Sequence, residues 1–423
     1  MTWSLIRLLA ISSDLITRTF LAFYIWENTH DLHLILFLGL IYFAVMPFAE
    51  LTTGYVTDRF DIKIPMLIGV WIQIIQIVLI LYAHFPIGPM LLVLIALTGG
   101  ISEGIRNISV HAIEFGVQEQ SNITHYYADK TFFTKAIELI LPLAAAYLVT
   151  VTDGNFDFLF RLIIGLLIIK VFFVLLFKIP KARNTFDLKN ILTFPGTNKD
   201  KLTLVKGVFL EGLAEGITLT ILPVIVLIFA ESILKWGFVN TGIAIFGTLV
   251  SLFLTQWVND INSKVLYALG AFIFAGASTF FLSEINFLVI IIFLVANELM
   301  QVIKEVSYSA SVERIMEEDR KEYRLYSEYQ FLVDTISCIG RVTPIGILLL
   351  TGLNINNDLT LRITLIVIGI LPIISLSVLG KSRIFQPDSG TNKITSIRGE
   401  ATPPTLAQGR IRESETSSLV SGN

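Results

Sequence analysis

The chain has 423 residues, of which 54% are hydrophobic and only 15% charged, with a mean hydropathy of +0.74. A soluble domain carries about 25% charged residues, so this much apolar surface excludes a single water-facing fold. The net charge of -3 gives no basic face for nucleic acid, and Cys338, the only cysteine, excludes an internal disulfide or a cysteine-based metal cluster.

A bilayer core about 30 Å thick takes about 20 apolar residues per helix. Runs of that length, punctuated by polar clusters, predict spans 1 to 6 at 3–26, 32–53, 64–83, 89–114, 129–150 and 158–178. Spans 7 to 12 follow at 203–230, 237–257, 265–283, 287–312, 326–350 and 361–380. The first run is not expected to be a cleaved leader, because Asp14 and Arg18 interrupt it and no small-residue cleavage site follows before Trp26. A polar, basic segment at 179–202 reads as a linker, giving a first half at 1–178 and a second at 203–383. The Ser-, Thr- and Pro-rich remainder, 384–423, reads as a disordered tail.

Lys and Arg crowd the even-numbered connections, the linker and the tail, while Lys235 is the one clear basic residue in the odd-numbered connections. The positive-inside bias therefore puts both termini in the cytoplasm, in a multi-pass protein of the cytoplasmic membrane.

The halves repeat at an offset of about 200 residues. Asp14 falls opposite Glu215, Arg106 opposite Lys304, Pro142 opposite Pro344, and Val56-Thr57-Asp58 opposite Val258-Asn259-Asp260.

Charge inside a bilayer is costly, so ionisable residues there mark cavities or partners. Span 1 carries Asp14 and Arg18, span 4 Glu103, Arg106 and Asn107, span 7 Glu211 and Glu215, and span 10 Glu298, Gln301 and Lys304. Span 11 carries Asp334 and Arg341, whereas spans 3, 8, 9 and 12 have no central charge. Asp14–Arg18 and Glu103–Arg106 have the spacing of intrahelical ion pairs. Glu211 and Glu215 share a face without a cation on their own helix, which predicts that at least one of them holds a proton near neutral pH. They are the first proton-coupling candidates, followed by Glu298 and Glu103. Asp14, Arg18, Arg106, Asn107, Gln301, Lys304, Asp334 and Arg341 are the candidates for a substrate cavity. Lys170 in span 6 has no evident partner, and is expected either to snorkel or to pair with another helix. Gly99, Gly100 and Gly104 of span 4, with Gly212 and Gly216 of span 7, would let helices approach closely.

The turn after span 2 reads Gly54-Tyr55-Val56-Thr57-Asp58-Arg59-Phe60-Asp61-Ile62-Lys63. With twelve spans in two related halves, it resembles the major facilitator superfamily, whose signature there is Gly-x-Leu-Ala-Asp-Arg-x-Gly-Arg-Lys. Gly54, Asp58, Arg59 and Lys63 match, while Asp61 and Ile62 depart. The resemblance implies an all-α protein of two pseudo-symmetric six-helix bundles around a central cavity lined by spans 1, 4, 7 and 10. It further implies a secondary transporter working by alternating access, latched by Gly54, Asp58, Arg59 and Lys63, with Asp260 their counterpart in the second half. The glycine-rich span 5 motif of proton-drug antiporters is not matched, since Leu141-Pro142-Leu143-Ala144-Ala145-Ala146 keeps only the proline.

Neither an enzyme nor a cofactor is expected. Gly380-Lys381-Ser382 lacks the earlier glycine and the strand of a phosphate-binding loop, and no His-Glu-x-x-His metal motif exists. The expected partners are a small polar or amphiphilic solute, protons or another coupling ion, and the lipid bilayer, with the protein a monomer. The alternative is a non-transporting sensor or lipid-moving protein of the same fold.

Overall fold

The computed structural model describes residues 2–83, 87–118, 123–177, 186, 189, 193, 199–257, 263–305 and 326–380. Among these there is no strand. Spans 1 to 6 are the helices Thr2–Thr29, Leu32–Arg59, Lys63–Tyr82, Pro89–Gln118, Ile123–Val151 and Phe156–Leu176. Span 7 is two helices, Lys199–Thr220 and Leu222–Ala230. Spans 8, 9 and 10 are Ile233–Trp257, Ser263–Ser278 with a 3-10 turn at Thr279–Leu282, and Phe287–Lys304. Spans 11 and 12 are Tyr326–Leu350 and Asp358–Leu379. Eleven of the spans are long and apolar enough to cross a bilayer among the described residues, and span 5 carries a shorter apolar stretch, Ile137–Val151.

Side-chain chemistry sets several of these ends. Asp31, Asn155, Asn286 and Asn357 accept the backbone N–H two or three residues on and so cap spans 2, 6, 10 and 12. The break in span 7 follows from Pro223, which cannot donate a backbone hydrogen bond and crowds the preceding turn. Pro142, Pro344 and Pro372 stay inside continuous helices.

Large apolar side chains point outward all round the bundle, including Trp71, Phe172, Phe253, Phe272 and Leu350. In water such a surface would aggregate, but against lipid it costs nothing. Inside, packing depends on small residues. A Cβ on Gly104 would strike the span 2 backbone at Met46, and one on Gly216 would strike the span 11 backbone at Arg341. Span 4 therefore lies tight against span 2, and span 7 tight against span 11. The two halves meet along seams of span 2 with span 11 and span 5 with span 8. Where span 8 begins beside span 1, the Trp236 ring sits edge-on to Phe23 at 4.8 Å and to Phe20 at 5.8 Å. The result is a twelve-span helical bundle of two six-helix halves around a central polar site.

Candidate functional site: two ion-paired clusters

In the first half, Arg106 of span 4 reaches back to span 1 and pairs with Asp14, while also pairing with Glu103 one turn before it. Gln73 of span 3 donates to Asp14 at 2.7 Å. Arg18 donates to Glu103 at 3.3 Å and lies 5.8 Å from the centre of the Tyr42 ring. The expected Asp14–Arg18 pair within span 1 is not formed. Span 4 packs close enough to offer each of them a partner of opposite charge, which joins two helices rather than one. The Glu103–Arg106 pair is present as its spacing predicts. Lys170 does not snorkel. It is 1% exposed, and Arg106 and Glu103 are the charges that act on it.

In the second half, Glu215 accepts from Lys304 of span 10 at 2.7 Å and from Arg341 of span 11 at 2.6 and 3.1 Å. Lys304 also lies 3.4 Å from Glu211, which accepts a short hydrogen bond from the Tyr267 hydroxyl of span 9. Glu211 and Glu215 therefore do not face each other without a cation. The expectation that one of them holds a proton, which rested on that isolation, gives way to an ion-paired cluster, because neighbouring helices supply the cations that their own helix lacks.

The clusters correspond through the repeat. Asp14–Arg106 joins spans 1 and 4, and Glu215–Lys304 joins spans 7 and 10, with both acids and both bases at the predicted offset. They also share a depth. Arg18 stacks on Tyr42, and Arg341 lies 5.3 Å from the ring centre of Phe43, the next residue of span 2. Each cluster holds two acids and two bases in direct contact, so the pair is close to neutral overall.

Other sequence candidates fall elsewhere. Asn107 turns to Glu50 of span 2, its amide 3.4 Å from the carboxylate. The Glu298 carboxylate occupies the space that a side chain at Gly247 of span 8 would fill, on a different face of span 10 from Lys304. Gln301 is half-buried on span 10, and Asp334 accepts from Gln330 one turn earlier at 3.1 Å.

In the turn after span 2, Arg59 is exposed, and the Lys63 ammonium lies 3.5 Å from the Leu175 carbonyl at the end of span 6, a contact within the first half. Asp260 and the Asp58 side chain lie outside the described residues. Gly54 has a local reason to lack a side chain. A Cβ there would stand 2.6 Å from the ring of Phe186, which is buried against Gly54, Tyr55, Ile108 and Phe331.

At the start of span 12, Asn356 makes a reciprocal contact with the start of span 2. Its amide donates to Asp31 at 3.3 Å, and its oxygen accepts from the Leu32 N–H at 3.2 Å. Burial alone pushes the Asp31 carboxyl up. Hydrogen bonds from the His33 backbone and ring and from Asn356 outweigh it and hold the carboxyl below the usual carboxylate range. Nearby, an open cavity of about 590 Å³ is lined by Glu27, Asp153, Asp157 and Glu231, away from both clusters.

A search for charge alone misses Tyr42, Gln73 and Tyr267. Gln73 and Gln76 do show in the sequence, as amides in the otherwise apolar heart of span 3. Tyr42 and Tyr267 look like ordinary aromatic packing until their partners are seen.

Solved structures share this fold. The nucleoside transporter NupG superposes with a TM-score of 0.64 at 14% identity, and a point mutant of it with 0.69 at 15%. Each match covers 91% of this chain and 99% of the other, a likeness of fold. A Bacillus subtilis (strain 168) protein described as uncharacterized protein YqgE is 21% identical over 410 residues, covering 93% of this chain and 92% of its own. The model of the Major Facilitator Superfamily matches residues 4–323, and the chain belongs to that superfamily of membrane transporters.

Proposed function

We propose that this protein moves a small, neutral or zwitterionic polar solute across the cytoplasmic membrane by alternating access, with the two ion-paired clusters forming the central binding site. The observation that carries the reading is the matched pair Asp14–Arg106 and Glu215–Lys304, at one depth on either side of Tyr42 and Phe43. Transporters of this kind place solute at the junction of their repeats near the bilayer midplane. A solute with both donors and acceptors can exchange hydrogen bonds with balanced ion pairs without leaving a charge uncompensated. Nucleosides, named for the NupG structures, meet that description and belong in a first panel of solutes.

Both termini and the 179–202 linker are cytoplasmic in this reading, the halves are 1–178 and 203–383, and the protein works as a monomer. Closure on the outer side uses Asp31 and Asn356. Closure on the inner side uses Phe186 and the Gly54–Lys63 turn. Transport is driven by protons.

Reconstitution tests the reading. Saturable uptake of one member of the panel into proteoliposomes, faster with a pH gradient, is the expected result. Solute-independent movement of phospholipid with no saturable uptake would replace it with the lipid-moving alternative.

A further inference from the structure

Glu50 of span 2 is 0% exposed, and one of its carboxylate oxygens has no hydrogen-bond partner. Its other oxygen meets only the long contact from Asn107. Asp334 of span 11 likewise has one buried oxygen without a partner, the other accepting from Gln330. These acids come from opposite halves and face each other across a seam. Spans 2 and 11 run antiparallel, and the Cys338 sulfur lies 3.8 Å from that of Met46. One turn toward the cytoplasm from that contact is Glu50 on span 2 and Asp334 on span 11. Asp334 is accordingly the charged neighbour that acts most strongly on Glu50.

The surroundings do not neutralise the two acids. From span 4, Glu103 acts on both and His111 acts on Asp334. Arg341 of span 11 acts on both from a distance, its guanidinium committed to Glu215 by two hydrogen bonds. Glu328, nearer the cytoplasmic end of span 11, is a further buried acid rather than a cation. On span 7, which packs on span 11, Glu211 and Glu215 are held by Lys304. On span 1, Asp14 is held by Arg106 and Arg18 by Glu103. Neither Glu50 nor Asp334 has a cation within ion-pair distance among the described residues.

We propose that Glu50 and Asp334 form a proton-binding site in the seam between the halves, sharing one proton while the seam is closed. A proton on one carboxyl donates an O–H···O⁻ hydrogen bond to the other, satisfying both orphaned oxygens and leaving one negative charge instead of two. Loss of that proton to water restores two like charges across the seam, in a low-dielectric interior where their repulsion is strong. Proton binding and closure of the span 2–span 11 seam thus favour one another reciprocally. This site lies outside both ion-paired clusters, and its role in driving transport rests on the alternating-access reading above.

The test uses the full chain in lipid nanodiscs. Infrared titration should show a carbonyl band of a protonated carboxyl that disappears with rising pH. Glu50→Gln and Asp334→Asn, both isosteric, should each remove it. In parallel, spin labels at the exposed positions Ile64 and Leu202, with Cys338→Ala, read the separation of the halves on the cytoplasmic side. The parent should shift toward the wider separation as pH rises, and Glu50→Gln should lose that pH dependence. A titrating band that survives in both variants, or an unchanged pH dependence of separation in both, would overturn the proposal. Saturable uptake in proteoliposomes is scored separately, so those results would leave the transport reading standing, whereas loss of all uptake in the parent would strike the transport reading instead.

Discussion

Glu215 takes three hydrogen bonds from two cations on two other helices, so it does more than balance a charge. Glu215→Gln would leave Lys304 and Arg341 facing a neutral amide, and removing one partner from a buried ion pair costs about 3–5 kcal/mol. Uphill accumulation and exchange between equal concentrations should both be lost in proteoliposomes, with a lower unfolding temperature. Exchange that survives while accumulation fails would instead make Glu215 a proton carrier. Arg341→Lys should also impair transport, because an ammonium cannot reproduce the two-nitrogen contact with one carboxylate oxygen. At the contact of Asp31 with Asn356, the carboxyl of Asp31 is held low in the folded protein. Its contribution is therefore complete above the ordinary carboxylate range and is lost as pH falls through the lowered value. Spin labels at Asn28 and Leu353 should report a closed outer side at neutral pH that opens only in acid, and Asn356→Ala should open it at neutral pH. An outer distance that widens instead as pH rises would contradict this assignment.

Helix pairs are set by what the backbone can approach. Gly216→Ala puts a methyl into the backbone of span 11 and should destabilise by about 1–3 kcal/mol, the usual cost of overpacking. Gly242→Ala, where a methyl meets nothing within 4 Å, should be neutral or slightly stabilising in the same thermal unfolding assay. Equal effects would show that span 7 does not depend on this contact. Span positions were legible in the sequence because a bilayer demands long apolar runs, and the glycines of spans 4 and 7 read correctly as points of close approach. The break in span 7 was missed although Pro223 stood in the run, since hydropathy does not register a missing donor. Partners were read less well than residues. Asp14 and Arg18, or Glu211 and Glu215, are neighbours in sequence, but their partners of opposite charge come from helices about 85 to 126 residues away, a relation that helical spacing does not encode. Glu50 carries no mark of a site in the sequence, because nothing in its own helix reveals the acid on span 11 across the seam.

At the scale of the molecule, alternating access requires two halves that move about a central site, with a fixed orientation in the membrane. Cysteines placed at Asn198 and at Leu353, with Cys338 replaced, should differ in access to an impermeant reagent added outside, Leu353 reacting and Asn198 not. The reverse pattern would invert the topology. The most direct measurement of a central site built from both clusters is uptake of a panel of polar solutes by proteoliposomes carrying the parent, Asp14→Asn or Glu215→Gln. Saturable uptake of at least one solute by the parent should be lost in both variants, because the two acids occupy equivalent places in one binding site. Uptake that proceeds unchanged in both variants would contradict it.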